Sequence, residues 1–287
     1  MSNKLSYHTI AISEKDNWAV NFLYHTIAGR VMLKFLTKPE VSRAAGLVMD
    51  SPISSLWVPM FIKNHSICLK DYKAEKYRSF NHFFTRKARK GVRPFSRNPL
   101  HVPAPCDGKL TAYEMNGSEI FRIKHSVYDV KHLLKNPALA REFADGTCLI
   151  FRLTPDDYHR YCYIDKGRIV SSRTIKGILH TVRPIALQQY QVYAQNAREY
   201  TVMETENFGK VIQMEIGALF VGRIKNHKAN GTFFRGQEKG MFEFGGSTVL
   251  LLFQKNAIKV EEEILINTKK KRETMIKMGD KVGEKSG

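Results

Sequence analysis

Ser247 follows two glycines and opens an apolar run, Phe244-Gly245-Gly246-Ser247-Thr248 leading into Val249-Leu250-Leu251-Leu252-Phe253. A serine hydroxyl can attack the carbonyl of the peptide bond just before it when a base takes its proton and the oxyanion is stabilised. Glycine at 246 removes the Cβ that would crowd this attack and permits strained dihedrals. The acyl group then moves from nitrogen to oxygen, and the ester leaves by β-elimination. The resulting dehydroalanine hydrolyses to a pyruvoyl group and ammonia. On this chemistry Gly246 and Ser247 are the cleavage site, and the chain ends as a longer piece, 1–246, and a shorter one, 247–287. Gly-Gly-Ser-Thr alone reads first as an ordinary turn before a strand, so other residues must support the chemistry.

Two segments do so: Arg152-Leu153-Thr154-Pro155-Asp156-Asp157-Tyr158-His159-Arg160-Tyr161 and Pro103-Ala104-Pro105-Cys106-Asp107-Gly108. With Gly246-Ser247, in this order and spacing, they resemble the phosphatidylserine decarboxylase family, whose members carry a Pro-x-x-Asp-Gly turn, then Asp-Tyr-His-Arg, then Gly-Ser-Thr. The likeness extends through Phe80-Asn81-His82-Phe83-Phe84-Thr85-Arg86-Lys87 with Arg93-Pro94, and through Asn207-Phe208-Gly209. It continues through Glu215-Ile216-Gly217-Ala218 and Gly236-x-Glu238-Lys239-Gly240, so that it covers about residues 20 to 285.

The resemblance implies one decarboxylase domain over 1–287, with a helical part at about 15–95 and a β-rich catalytic part at about 96–285. The implied fold is α+β, the helical region lying on a barrel-like sandwich of many short strands. The implied reaction is decarboxylation of phosphatidylserine to phosphatidylethanolamine and CO2. Its cofactor is a covalent pyruvoyl group made from Ser247, whose ketone forms a Schiff base with the substrate amine and acts as the electron sink that pyridoxal phosphate provides elsewhere. No external cofactor or metal is implied. The two pieces, β chain 1–246 and α chain 247–287, form a heterodimer, and a homo-oligomer is left open.

By this likeness Asp107 matches the triad aspartate that holds the catalytic imidazole. His159 matches a histidine associated with substrate handling and proton transfer. Many members continue Asp-Tyr-His-Arg-x-His, with the second histidine as the triad base, but this chain has Cys162 there. A thiol with an ordinary pKa near about 8.5 is mostly protonated at neutral pH and a poor base beside imidazole. His180, in Gly177-Ile178-Leu179-His180-Thr181-Val182, is the best replacement, one strand and a turn later. Plainer readings stand beside each: Asp-Gly is a common turn, and a lone histidine is more often structural.

The elements that must position these residues follow from pattern. Trp18, Phe22, Leu23, Ile27, Val31, Phe35 and Leu36 fall at helical spacing, interleaved with Arg30, Lys34 and Lys38. Such a helix either lies on a bilayer or packs on the core. Further helices are expected over 41–49, 80–90 and 127–143, and strands over 109–113, 121–124, 147–153, 164–173, 211–216, 220–224 and 248–253. The tail Met275–Gly283 has a faint likeness to a lipoyl or biotinyl hairpin, and a surface turn explains it as well.

Composition narrows the partners. Lys and Arg number 46 against 27 Asp and Glu, a formal +19 among 287 residues. That surplus draws polyanions, and with no nucleic-acid module in the sequence an anionic membrane surface is the expected partner. The stretch 45–62 is broken by Asp50, Ser51, Pro52 and Pro59, short of the roughly 20 apolar residues a span needs. Residues 1–15 lack the apolar core of a signal peptide, which predicts peripheral attachment at the cytoplasmic face of the cell membrane. The four cysteines, Cys68, Cys106, Cys148 and Cys162, are scattered and form no zinc or disulfide pattern. Two other readings compete: an uncleaved relative that only binds lipid, and a serine hydrolase, which the absence of a Gly-x-Ser-x-Gly elbow disfavours.

Overall fold

A computed structural model describes residues 9–11, 18–115, 120–123, 126–219, 223–244 and 247–287. Nine strands form its main sheet: β1 (Thr9–Ala11), β2 (Gly108–Glu114), β3 (Thr147–Leu153), β4 (Gly167–Ile175), β5 (Arg198–Thr205), β6 (Gly209–Gly217), β7 (Gly231–Phe233), β8 (Ser247–Phe253) and β9 (Arg272–Ile276). They are antiparallel in the order β1-β9-β2-β3-β8-β6-β5-β4-β7. The two most apolar runs, β3 and β8, lie side by side in the middle and are buried along their full length. A strand covered on both faces needs no polar alternation, which is why both read as continuous apolar runs.

The two faces are covered differently. Val249, Leu251 and Phe253 of β8 point into a core shared with Phe151, Val211 and Met203. That core is closed by Val102, Tyr161, Phe242, Val260 and Val282 from two three-stranded sheets. The alternate residues Leu250 and Leu252, with Ile150, Ile212 and Met214, pack beneath helical residues including Tyr24, Leu33, Leu133 and Tyr193. The fold is therefore α+β, sheet on sheet on one side and helices on the other. Among the described residues the main sheet ends in β1 and β7 and does not close, so the barrel-like part of the expectation is corrected to an open sandwich.

The N-terminal periodicity resolves into two helices, α1 (Trp18–His25) and α2 (Ile27–Leu36). Thr26 separates them as the N-cap of α2, its hydroxyl accepting from the Gly29 N–H at 2.9 Å. A Cβ at Gly29 would stand 2.0 Å from the Phe22 carbonyl oxygen, so only glycine lets α2 pass this close to α1. Helix α3 (Pro39–Asp50), a 3-10 turn (Pro52–Trp57), α4 (Val58–Asn64) and α5 (Phe80–Phe84) follow. The helix expected over 80–90 stops at Phe84, because the chain beyond it turns to bond the Tyr72–Lys73 segment. The helix expected over 127–143 breaks in two around Lys135, whose φ is 47°, and Asn136, which caps Pro137–Arg141. Phe220 to Gly222, part of another expected strand, lie outside the described residues.

Candidate active site

The antiparallel register gathers distant motifs at one end of the main sheet. Ser247, first residue of β8, stands opposite Leu153, last of β3, and Gly217, last of β6. β2 starts at Gly108 beside the end of β3, with Lys109 opposite Arg152, and β9 ends with Ile276 opposite Gly108. Asp107, the loop after Leu153, Ser247 and Lys277 thus emerge together. A Cβ on Gly108 would lie 2.9 Å from the Arg152 carbonyl oxygen at a φ of 152°, which is the local reason for Asp-Gly here.

Ser247 is fully buried. Strand alternation puts its side chain on the face of Val249 and Leu251, toward the sheet-on-sheet core. Its Oγ has no hydrogen-bond partner among the described residues. Burying a hydroxyl unpaired costs free energy, which makes Ser247 a candidate for a role beyond packing. Gly245 and Gly246 lie outside the described residues.

The loop from β3 returns a histidine to the same region. Thr154 donates from its N–H (2.8 Å) and hydroxyl (2.9 Å) to Asp157 Oδ2, which turns the chain. The Asp157 carbonyl then meets His159 Nδ1 at 2.9 Å. A carbonyl only accepts, so the proton is assigned to Nδ1 and Nε2 carries the free lone pair. Nε2 is buried without a partner among the described residues. Burial pushes the imidazole pKa down to about 3, against the Asp157 bond, so the ring is neutral at physiological pH. Phe84 packs on His159 with centroids 4.0 Å apart and on Phe244 at 5.5 Å, which ties the ring to the segment just before Ser247. Asn81 fixes that segment by accepting the Phe244 N–H at 2.9 Å while donating to Asp50 of α3 at 2.8 Å.

Asp107 sits differently from the role the sequence suggested. Its carboxylate is fully buried and held by Arg93 Nε and NH2 at 2.9 and 2.7 Å, by the Met278 N–H at 2.8 Å and by Lys277 Nζ at 3.3 Å. Burial alone raises its pKa, but the Arg93 hydrogen bonds and the Lys277 and Arg93 charges outweigh it and hold the group ionised. None of these partners is an imidazole. In the sequence Arg93 is part of an Arg-Pro motif and Lys277-Met278 reads as a surface turn; nothing local announces either contact.

The sequence profile described as phosphatidylserine decarboxylase matches residues 80–284. The chain is 48% identical over 269 residues to phosphatidylserine decarboxylase proenzyme 2 of Clostridium acetobutylicum, covering 93% of this chain and 92% of that protein. It is 38% identical over 270 residues to the proenzyme of Ruminiclostridium cellulolyticum, covering 92% and 90%. With that of Clostridium tetani it shares 36% over 272 residues, covering 93% and 91%. The chain belongs to the phosphatidylserine decarboxylase family.

As a member of the phosphatidylserine decarboxylase family it is an enzyme of the carboxy-lyase class, and its substitution at 162 has a clear structural setting. Cys162 is buried, its S–H donating to the Pro105 carbonyl at 3.3 Å, and burial pushes the thiol pKa well up. A thiolate base there is disfavoured. His180 is not brought to Asp107 or Ser247: its Nδ1 meets the Tyr24 hydroxyl at 3.3 Å and its ring stacks on Tyr190 at 4.3 Å. Those tyrosines belong to the helix-covered face, opposite the face into which Ser247 points. The expectation that His180 returns to the site is corrected. Asn196 is the cause, bracketing His180 by accepting its N–H (3.0 Å) and donating to its carbonyl (2.8 Å) while also bonding the Gly217 carbonyl (2.7 Å).

Two other segments that carry the family likeness meet beneath the site. Glu215 and Lys239 are both fully buried and pair at 2.7 Å, with Lys239 also donating to Asn226 Oδ1 at 2.9 Å. Register places Glu215 opposite Val249, on the face of Ser247, so the pair joins the main sheet to the smaller one. Breaking a buried pair strands one charge, whereas replacing both by apolar groups does not. Lys239→Met should therefore destabilise the protein by about 3–5 kcal/mol, and Glu215→Leu with Lys239→Met should regain most of it. Chemical denaturation of the three proteins checks this, and additive losses would contradict it.

Proposed function

We propose that this enzyme cuts itself between Gly246 and Ser247, converts Ser247 into a pyruvoyl group and decarboxylates phosphatidylserine at an anionic membrane surface. The observation that carries the reading is the unpartnered, buried Ser247 hydroxyl at the sheet end that also holds a neutral histidine with a free Nε2. His159 Nε2 takes the Ser247 proton. The alkoxide attacks the Gly246 carbonyl, the C–N bond breaks and an ester forms on Oγ. Loss of the Ser247 Cα proton expels Gly246 as a carboxylate, and water then replaces the nitrogen, releasing ammonia.

The shorter piece stays in place without a covalent link. β8 is hydrogen-bonded along all seven residues to β3 on one side and β6 on the other. Asp107 grips Lys277 and Met278, and Arg152 grips Glu273 at 2.8 and 2.6 Å. When formed, the pyruvoyl group supplies the carbonyl electron sink for the departing CO2. The purified protein should therefore release CO2 from phosphatidylserine vesicles with nothing added, and hydroxylamine, which captures ketones, should stop it. Turnover insensitive to hydroxylamine, or none at all, would refute the proposal.

The membrane part rests on the N-terminal helices. Trp18 is 80% exposed, Ile27 77%, Ile53 73% and Leu56 75%, so the apolar stripe faces outward while Tyr24 and Leu33 reach the core. Arg30 and Lys34 lie along α2 and Lys38 just beyond its end, the arrangement of a helix seated among headgroups. No single described helix is long and apolar enough to cross a membrane; residues 39–50 and 52–64 qualify only together, bent by 79°. Binding to vesicles should rise with anionic lipid and fall with salt over a screening length of about 8 Å at physiological ionic strength. Equal sedimentation with neutral and anionic vesicles at low salt would contradict this.

A further inference from the structure

Two buried arginines lack a carboxylate partner among the described residues, and they are satisfied very differently. Arg198 gives Nε to the Leu133 carbonyl, NH1 to those of Ala194 and Asn196, each at 2.8 Å, and NH2 to that of His132 at 2.9 Å. Four of its five N–H groups are used in tying the fold together. Arg86, 1% exposed, uses only NH2, which donates to the Asp156 and Asp157 carbonyls at 3.0 and 3.2 Å and meets the Tyr72 hydroxyl at 3.4 Å. The cation lies over the Tyr72 ring at 4.3 Å and near that of Phe83 at 4.9 Å, while Nε and NH1 are buried with no partner among the described residues. A buried charge with no counter-ion and unfilled N–H groups is costly, typically by several kcal/mol.

Its position says what that cost could serve. The Asp157 carbonyl that receives Arg86 NH2 is the same oxygen that fixes His159 Nδ1, so the guanidinium and the candidate base are held by one atom. We propose that Arg86 binds the phosphodiester of the lipid headgroup, seating the substrate with its serine end toward residue 247. The inference rests on the decarboxylase reading above. Of the two anions in such a substrate, the carboxylate is the wrong one to pair with arginine, because stabilising it as an anion opposes loss of CO2. The phosphodiester is unchanged by the reaction, so its contact contributes equally to substrate and transition state and appears in KM.

Arg86→Lys keeps the charge and loses the planar fork. In processed enzyme it should raise KM for phosphatidylserine about tenfold or more, as loss of a charge-assisted hydrogen bond does, with kcat within about threefold. Glycerophosphoglycerol, a phosphodiester with neither amine nor carboxylate, should compete with substrate and raise the melting temperature of wild type but not of Arg86→Lys. Inorganic phosphate and acetate at the same concentration should do neither. Unchanged KM and unchanged diester protection in the variant would make Arg86 a clamp for the 156–157 loop and overturn the proposal, as would equal protection by inorganic phosphate or acetate. If the variant fails to fold, wild type decides alone: competitive inhibition by the diester supports the site and no inhibition overturns it. The melting shift needs no turnover, so it tests Arg86 even if the protein proves not to decarboxylate.

Discussion

Ser247→Ala leaves a single uncut chain of 33.0 kDa with decarboxylation at background. The substitution removes one oxygen, and with it both the attacking group and the atom through which Gly246 is expelled. Because that hydroxyl has no partner among the described residues, its loss should change stability by no more than about 1 kcal/mol. An intact fold with no processing is therefore the expected result, read by denaturing gel, circular dichroism and CO2 release. Wild-type turnover by this variant would end the pyruvoyl reading.

The second large effect separates the two histidines. His159→Ala should slow self-cleavage by about 10²-fold, the lower end of a positioned general base's contribution because burial weakens this imidazole as a base, whereas His180→Ala should cut as wild type does. Cys162→Ala should also cut, since its thiol is held protonated by burial. Because burial has already lowered the His159 pKa to about 3, the maturation rate should stay flat between about pH 5 and 8 rather than fall through the ordinary imidazole range. Stability carries the opposite sign: below the unfolded-state value of 6.5 the unfolded chain binds a proton that folded His159 refuses, so stability falls as pH drops from there toward about 3. Pulse-chase gels of the variants check the first part. Complete processing in His159→Ala with arrest in His180→Ala would reverse the assignment.

What the sequence made legible was local. The apolar runs of β3 and β8 are visible because both faces of each strand are covered, and the Asp107-Gly108 corner can be read from residue types alone. The strand Arg198–Thr205 escaped notice because its inner face carries Glu199 and Thr201 beside the buried Glu215 and Gln213, so its polarity imitates a loop. The helix over 80–90 was overextended because Arg86, which looks like a surface residue, is buried against Tyr72 and Phe83. His180 was misplaced for a different reason: proximity in sequence does not specify a sheet face, and Asn196, which decides it, lies sixteen residues away. The grip of Lys277 on Asp107 likewise depends on β2 and β9 pairing across more than 150 residues, and that of Arg93, fourteen residues before Asp107, on how the intervening chain folds back.

The proposed chemistry requires that the protein itself break the bond between Gly246 and Ser247. Denaturing mass measurement of freshly purified wild type tests this most directly. The expected result is two chains, one ending at Gly246 and one beginning at residue 247, the latter lighter by one ammonia than a serine-started chain and refractory to N-terminal sequencing. One intact chain of 287 residues, or a shorter chain that begins with an unmodified serine, would contradict it.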